Sequence, residues 1–204
     1  MRRRILDAAV AQFSDLGFEG ASTRAIATEA GAAMSSITYQ FGGKEGLYLA
    51  AAEHIGAQIG EILLPRIAGA RAAVQSGAMA STEAVLAVIG GMADMMLDPR
   101  SESWAAFIIR EQQKPGPAFD RLFDMIMRPM SGFVIELVGT IRSDLSGRKL
   151  RAVAMGMIGQ VIALRAARAA MMRILDIDSV DDDARTMLRE AVQANARAIL
   201  EAKG

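Results

Sequence analysis

The sequence predicts an all-α protein: an N-terminal module of three short helices followed by a longer helical body. Three observations lead there. Apolar residues recur at helical spacing along nearly the whole chain, and no alternating strand pattern of useful length appears. Alanine is abundant while aromatic residues make up only 5%, a balance that suits helices because Ala loses no side-chain entropy in one. Gly and Pro fall at intervals that cut the chain into helix-length pieces.

Taken in order, a first helix is expected from Arg2 to Leu16, with Ile5, Ala9, Phe13 and Leu16 on one face. Gly17 stands where a left-handed C-terminal cap is wanted, before apolar Phe18. Ser22 is a good N-cap for a second helix, Thr23 to Ala30, and Gly31 breaks it. A third runs from Met34 to Phe41, stopped by Gly42 and Gly43. A fourth starts near Lys44 and is expected to end near Pro65, leaving 66–80 as the loosest segment. Longer helices come next at Ser81–Leu97, Glu102–Gln113 and Ala118–Ile141, the last kinked or split by Pro129. Two more close the chain, Gly147–Leu175 and Asp181–Ala202, the final one opening on three Asp residues that suit the positive end of a helix dipole.

Composition narrows the function. Hydrophobic residues at 52% against 23% charged give ample core and argue against disorder. With no Cys there is no disulfide, thiolate metal site or cysteine nucleophile. His54 is the lone histidine, so no metal site and no cofactor is expected. Basic and acidic residues balance at 23 each, which excludes a binder that works by bulk positive field but not one with a few well-placed basic groups. The basic start at Arg2–Arg4 resembles a signal peptide's, yet Asp7, Gln12, Ser14 and Asp15 interrupt the apolar run that a signal peptide needs. The most apolar stretch, 153–172, carries Gln160, Arg165 and Arg168. A cytoplasmic protein with no membrane partner is the expectation.

Residues 22–41 have the mechanics of a helix-turn-helix. Ile26 and Ala30 are four apart and face inward, as are Ile37 and Phe41. Ala27 is small where two helices must cross, and Gly31 supplies the positive φ of a tight turn. The third helix then presents Met34, Ser35, Thr38 and Tyr39 outward, where a helix lying in the DNA major groove reads base edges.

The stretch STRAIATEAGAAMSSITYQFGGKEGL at 22–47 resembles the signature of the TetR family of transcriptional regulators. The matching residues are Ile26-Ala27, Ala30-Gly31, Ile37, Tyr39, Phe41, Lys44-Glu45 and Leu47. GGKEGLY at 42–48 and REQQKPGPAFD at 110–120, with Pro129 beyond, are similar to the CecR-like branch. The resemblance implies a homodimer on double-stranded operator DNA, acting as a repressor released by a small hydrophobic or aromatic effector. It divides the chain into a DNA-binding domain, 1–46, and a ligand-sensing and dimerisation domain, 47–204. It also implies that Ser22, Thr23, Tyr39 and Lys44 hold phosphates, which suits hydroxyls and an ammonium near helix N-termini. Arg24 joins the DNA-binding set, and Arg2, Arg3 and Arg4 form a basic arm beside it. The sequence departs from the family at Ala33, Thr38 and Gln40, and its recognition helix has no Arg, Asn or Lys for bidentate base contacts. Base readout therefore falls to Ser35, Ser36, Thr38 and Met34, with DNA shape contributing.

In the second half, Trp104, Phe107, Phe119, Phe123, Met127 and Met157 are expected to line an effector cavity, with Arg110 and Glu111 as polar anchors. The stripes Leu150, Ala154, Met157, Val161, Leu164 and Leu188, Val192, Ile199 are expected to face the partner subunit. The small residues Gly156, Gly159, Ala163, Ala166, Ala167 and Ala170 would let the partner's helices approach. Two other readings compete: a helical enzyme using carboxylates such as Glu111 and Asp120, and a dimeric interaction module that has lost DNA binding.

Overall fold

The computed structural model describes residues 1–202, and all its regular structure is helical. The helices are α1 (Arg2–Gly20), α2 (Thr23–Glu29), α3 (Met34–Phe41), α4 (Lys44–Gln75), α5 (Ser81–Leu97), α6 (Glu102–Gln113), α7 (Pro117–Leu122), α8 (Arg128–Ile141), α9 (Gly147–Ala166), α10 (Arg168–Ile174) and α11 (Asp182–Glu201). They form two compact units. One comprises Met1–Ile62 and Glu102–Arg128, the other Leu63–Ser101 and Pro129 onward. The boundary expected at 46–47 thus falls inside α4, and residues 203 and 204 of the expected second domain lie outside the described residues.

In the first unit, α1 to α4 close around Ile5, Ala9, Phe13, Ile26, Ile37 and Leu47, all fully buried. Gly17 takes φ 71, as its capping role requires, and kinks α1 before the chain resumes its helical course to Gly20. The kink turns Leu16 outward; it is 54% exposed rather than part of the inner face. Gly31 takes φ 60 in the turn between α2 and α3. Helix α6 docks on α1 through polar ties: the Ser14 hydroxyl donates to the Ser103 carbonyl at 2.6 Å, and Arg110 donates to the Ser14 and Asp15 carbonyls at 3.1 and 3.3 Å. A Cβ at position 17 would stand 3.0 Å from the Arg110 guanidinium, so the glycine also makes room for this docking.

The second unit is built on α5, which packs against α9 and α11 with α8 completing the core. Val85, Ile89, Phe133, Val134, Met157 and Val161 sit at its centre, each 1% exposed or less.

Three further boundaries differ from expectation. Helix α4 runs through Pro65 to Gln75, because Leu63 and Ile67, four apart and buried, hold it on its neighbours. Glu61, whose carbonyl loses its partner to the proline ring, is exposed to water there. Before Pro129 the backbone makes a π-helical turn over Phe123–Met127, so the expected break comes as a widened turn between α7 and α8. The expected single helix 147–175 bends by 82° at Ala167 into α9 and α10. At the end of α9, buried Arg165 donates to the Asp98 carbonyl at 2.6 Å and the Ser101 hydroxyl at 3.1 Å, tying it to the end of α5. No single helix among the described residues is long and apolar enough to cross a membrane.

Candidate nucleic-acid interface

Helix α3 shows why these side chains face outward. Its one fully buried residue is Ile37, on the side where α3 packs against α2. The opposite face presents Met34 (46% exposed), Ser35, Thr38, Tyr39 (91% exposed) and Gln40 to solvent, with Ser36 half-buried at its edge. Ala33 occupies the N-cap position and offers no side-chain bond; the Ser36 N–H donates back to the Ala33 carbonyl at 2.9 Å, which leaves those of Met34 and Ser35 open. A phenol ring left 91% exposed on a packed three-helix module has no structural partner. Open amides and a row of hydroxyls beside it are suited to phosphates and base edges.

The flanking groups frame that face. Ser22 sits at the N-cap position of α2 with extended backbone, but its hydroxyl makes no capping bond and remains available; Thr23 comes next, half-buried, and Arg24 is exposed. The Lys44 ammonium donates to the Glu19 carbonyl at 3.1 Å and lies 4.9 Å over the Phe18 ring. It thus has a favourable partner in α1 without any anion, and its remaining N–H donors are free to point elsewhere. Arg2, Arg3 and Arg4 form the first turn of α1, which begins at Arg2 as the sequence predicts. The apolar Ile5 and Leu6 directly behind them, buried in the core, hold the helix to its first residue. Within that turn Arg2 stacks over the Phe41 ring at 4.7 Å, which sets it beside the end of α3, and Arg3 faces Asp7 at 3.9 Å.

The residues expected to line an effector cavity are placed differently from that expectation. Phe107 is fully buried against Tyr48, with ring centroids 4.8 Å apart, and Tyr48 also meets Phe13 and Phe18 edge-on at 4.8 and 5.1 Å. The Tyr48 phenol donates to buried Glu111 at 2.5 Å; burial and the neighbouring carboxylate push its pKa up. Phe107, Arg110 and Glu111 therefore serve the docking of α6 on α1 and α4. The physical reason is that a carboxylate buried in an apolar helix must find a donor, and Tyr48 supplies it. In the sequence Tyr48 stands out only as the end of the GGKEGLY match at 42–48, with no site role assigned to it. Phe119 and Phe123 stack on each other at 5.9 Å, partly open to solvent, while Trp104 and Met127 are half-buried. Met157 lies in the core of the second unit, fully buried.

The expected partner-facing stripes are corrected more sharply. Ala154, Met157 and Val161 have no exposed surface, and Leu164, Leu188 and Val192 are buried; they belong to the chain's own core around α5, with Leu150 and Ile199 packed at its edge. The larger side chains go inward because each removes more apolar area from water. What remains outside is the small-residue face: Ala152, Gly156, Ala163 and Ala166 on α9, with Met155 53% exposed, and Met187, Ala191, Ala194 and Ala198 on α11. Among the described residues no cluster of His, Cys, Asp or Glu could hold a metal.

Comparison with known proteins agrees with this geometry. Residues 5–51 match the family described as bacterial regulatory proteins, tetR family, and residues 81–203 match that of the HTH-type transcriptional dual regulator CecR, C-terminal domain. The CecR regulator of Shigella flexneri is 27% identical over 204 residues, covering 98% of this chain and 91% of its own. Among solved structures, AibR in complex with isovaleryl coenzyme A and operator DNA superposes with a TM-score of 0.71 at 14% identity, covering 95% of this chain and 96% of its own. FadR from Bacillus subtilis in complex with stearoyl-CoA gives 0.69 at 15% identity, covering 100% of both chains. With the helix-turn-helix at its N-terminus and the CecR-type domain over most of the remainder, this chain belongs to the TetR family of transcriptional regulators, in the CecR-like branch.

Proposed function

We propose that the protein is a repressor that binds a pseudo-palindromic operator as a homodimer and leaves it when a small apolar effector binds. The carrying observation is the outward face of α3, where Met34, Ser35, Thr38 and Tyr39 stand exposed with no partner in the fold. The helix-turn-helix supplies one reading head per subunit, and two-fold symmetry matches two half-sites. Ser22, Thr23, Arg24, Lys44 and the first turn of α1 hold phosphates on either side, while the hydroxyls and Met34 read bases.

Dimerisation is assigned to the small-residue faces of α9 and α11. Ala152, Gly156, Gly159, Ala163 and Ala166 are spaced alternately four and three apart, and so are Met187, Ala191, Ala194 and Ala198. That spacing makes a continuous seam on each helix where another helix's backbone approaches closely. The effector reading is supported by the fold shared with proteins crystallised with acyl-CoA ligands. Mobility shift with DNA from the protein's own promoter region tests the reading: a complex that survives a large excess of random DNA supports it, and equal affinity for both sinks it.

A further inference from the structure

The second unit holds an apolar cavity of about 330 Å³ between the later turns of α4 and the face of α5. Leu63, Ile67, Ala70, Met79 and Val88 form its wall. None of these residues appeared in the aromatic and methionine set that the sequence suggested.

One polar group stands at its rim. The Arg66 side chain extends across α5 at Gly91, where an added Cβ would lie 3.2 Å from its Nη1. Gly91 therefore lets the guanidinium lie close on the helix backbone. Among the described residues Arg66 has no ion pair and no hydrogen bond, and no carboxylate lines the cavity. Arg71, further along α4, is the contrast: it pairs with Glu136 at 2.7 Å and lies 5.1 Å over the Phe133 ring. Two arginines of one helix are thus treated oppositely. A planar guanidinium offers donors in a fork that matches a carboxylate in two parallel bonds.

The groove is open to solvent along Arg66 and Ala87, so a chain can enter it tail-first and leave its head at the rim. We infer that this cavity binds an aliphatic monocarboxylate, its tail against Met79 and Val88 and its head on Arg66. The inference rests on the effector reading above and gives that effector a chemical class. Flexible Met79 lets the wall adapt to the chain, and the absence of any acid in the lining removes what would repel the head.

Isothermal titration of the DNA-free protein with octanoate, 1-octanol and octylammonium tests the site. Octanoate should bind, octanol at least tenfold more weakly, and octylammonium not measurably. Arg66→Met should cost octanoate at least tenfold while leaving octanol unchanged; Arg66 is exposed, so its removal leaves the fold intact by circular dichroism. Ala87→Trp, from an exposed lining position, should block octanoate and octanol alike by filling the space. Equal affinity for octanoate and octanol, or octanoate binding indifferent to Arg66→Met, overturns the carboxylate assignment. Octanoyl-CoA binding tightly in Arg66→Met while octanoate fails in the wild type overturns it too, in favour of a thioester held elsewhere. A separate titration of the operator complex isolates the effector reading: octanoate that binds by calorimetry but leaves DNA bound supports the site and sinks its role as inducer.

Discussion

Helices α3 and α9 are both amphipathic, yet they dispose of their outward faces in opposite ways. Helix α3 buries Ile37 and turns hydroxyls and a phenol to solvent. Helix α9 buries Ala154, Met157 and Val161 and turns outward a face of Gly, Ala and Met155. The first outward face is polar, unpaired and narrow, as a surface that meets sugar, phosphate and base edges should be. The second is apolar, smooth and repeated on α11, as a surface that meets another helix should be. The inward faces look alike; the outward ones differ, and the two proposed roles rest on that difference.

The comparison is broken most severely by a charge placed on the two sides of α9. Val161→Glu puts a carboxylate into a position with no exposed surface, where the penalty is several kcal/mol per ion, a large share of a small protein's stability. That variant should lose its helical circular dichroism or melt far below the wild type. Ala163→Glu, two residues on and exposed, should keep its melting behaviour as an isolated subunit but fail to dimerise. A folded Val161→Glu protein would place the stripe outside after all.

On α3 the expected effect is smaller and falls on DNA alone. Tyr39→Ala should weaken operator binding about tenfold or more, since a charge-assisted hydrogen bond to phosphate is worth about 1.5–3 kcal/mol, and should leave thermal unfolding unchanged because the ring is 91% exposed. Thr38→Ala should instead relax sequence preference while affecting random DNA little. Reversal of those two outcomes, read by fluorescence anisotropy, would exchange their roles.

Lys44 sharpens the electrostatic side. If each subunit neutralises one phosphate with it, Lys44→Ala should reduce the log–log salt slope of binding by about two per dimer. An unchanged slope would leave Lys44 as a structural tie to the Glu19 carbonyl only.

The smallest effect concerns Asp98, whose carboxylate accepts from Arg100 and is held at a pKa of about 2, below the ordinary 3.8. A depressed carboxylate contributes stability above its unfolded pKa and loses it as pH falls from about 4 to about 2. Arg100 is 87% exposed, so solvent screening keeps the contribution small. Urea melts of Asp98→Asn should therefore match the wild type near pH 2 and fall slightly below it at neutral pH.

How much of this was legible depends on where the information resides. The helix-turn-helix could be read because its devices are local: Gly31 for the turn, Ile26 and Ile37 for the inner face, Tyr39 left over. In the second half the helices were legible but their orientation was not. On α9 both sides are apolar, and periodicity alone cannot say which meets the subunit's own core; side-chain size could have, since Met157 and Val161 bury more area than Gly156 and Ala163. The passage of α4 through Pro65 depends on tertiary anchors at Leu63 and Ile67, which override a local breaker. The pairing of Tyr48 with Glu111, 63 residues apart, is likewise visible only once α4 and α6 are in place.

The central claim, one α3 from each of two subunits on one duplex through the outward face of α9, is tested directly by sedimentation equilibrium of the protein with a labelled operator fragment. The account predicts two wild-type chains per duplex, and for Ala163→Glu at most one, with affinity reduced to that of random DNA. A wild-type complex of one chain per duplex, or two chains retained by Ala163→Glu at undiminished affinity, would contradict it.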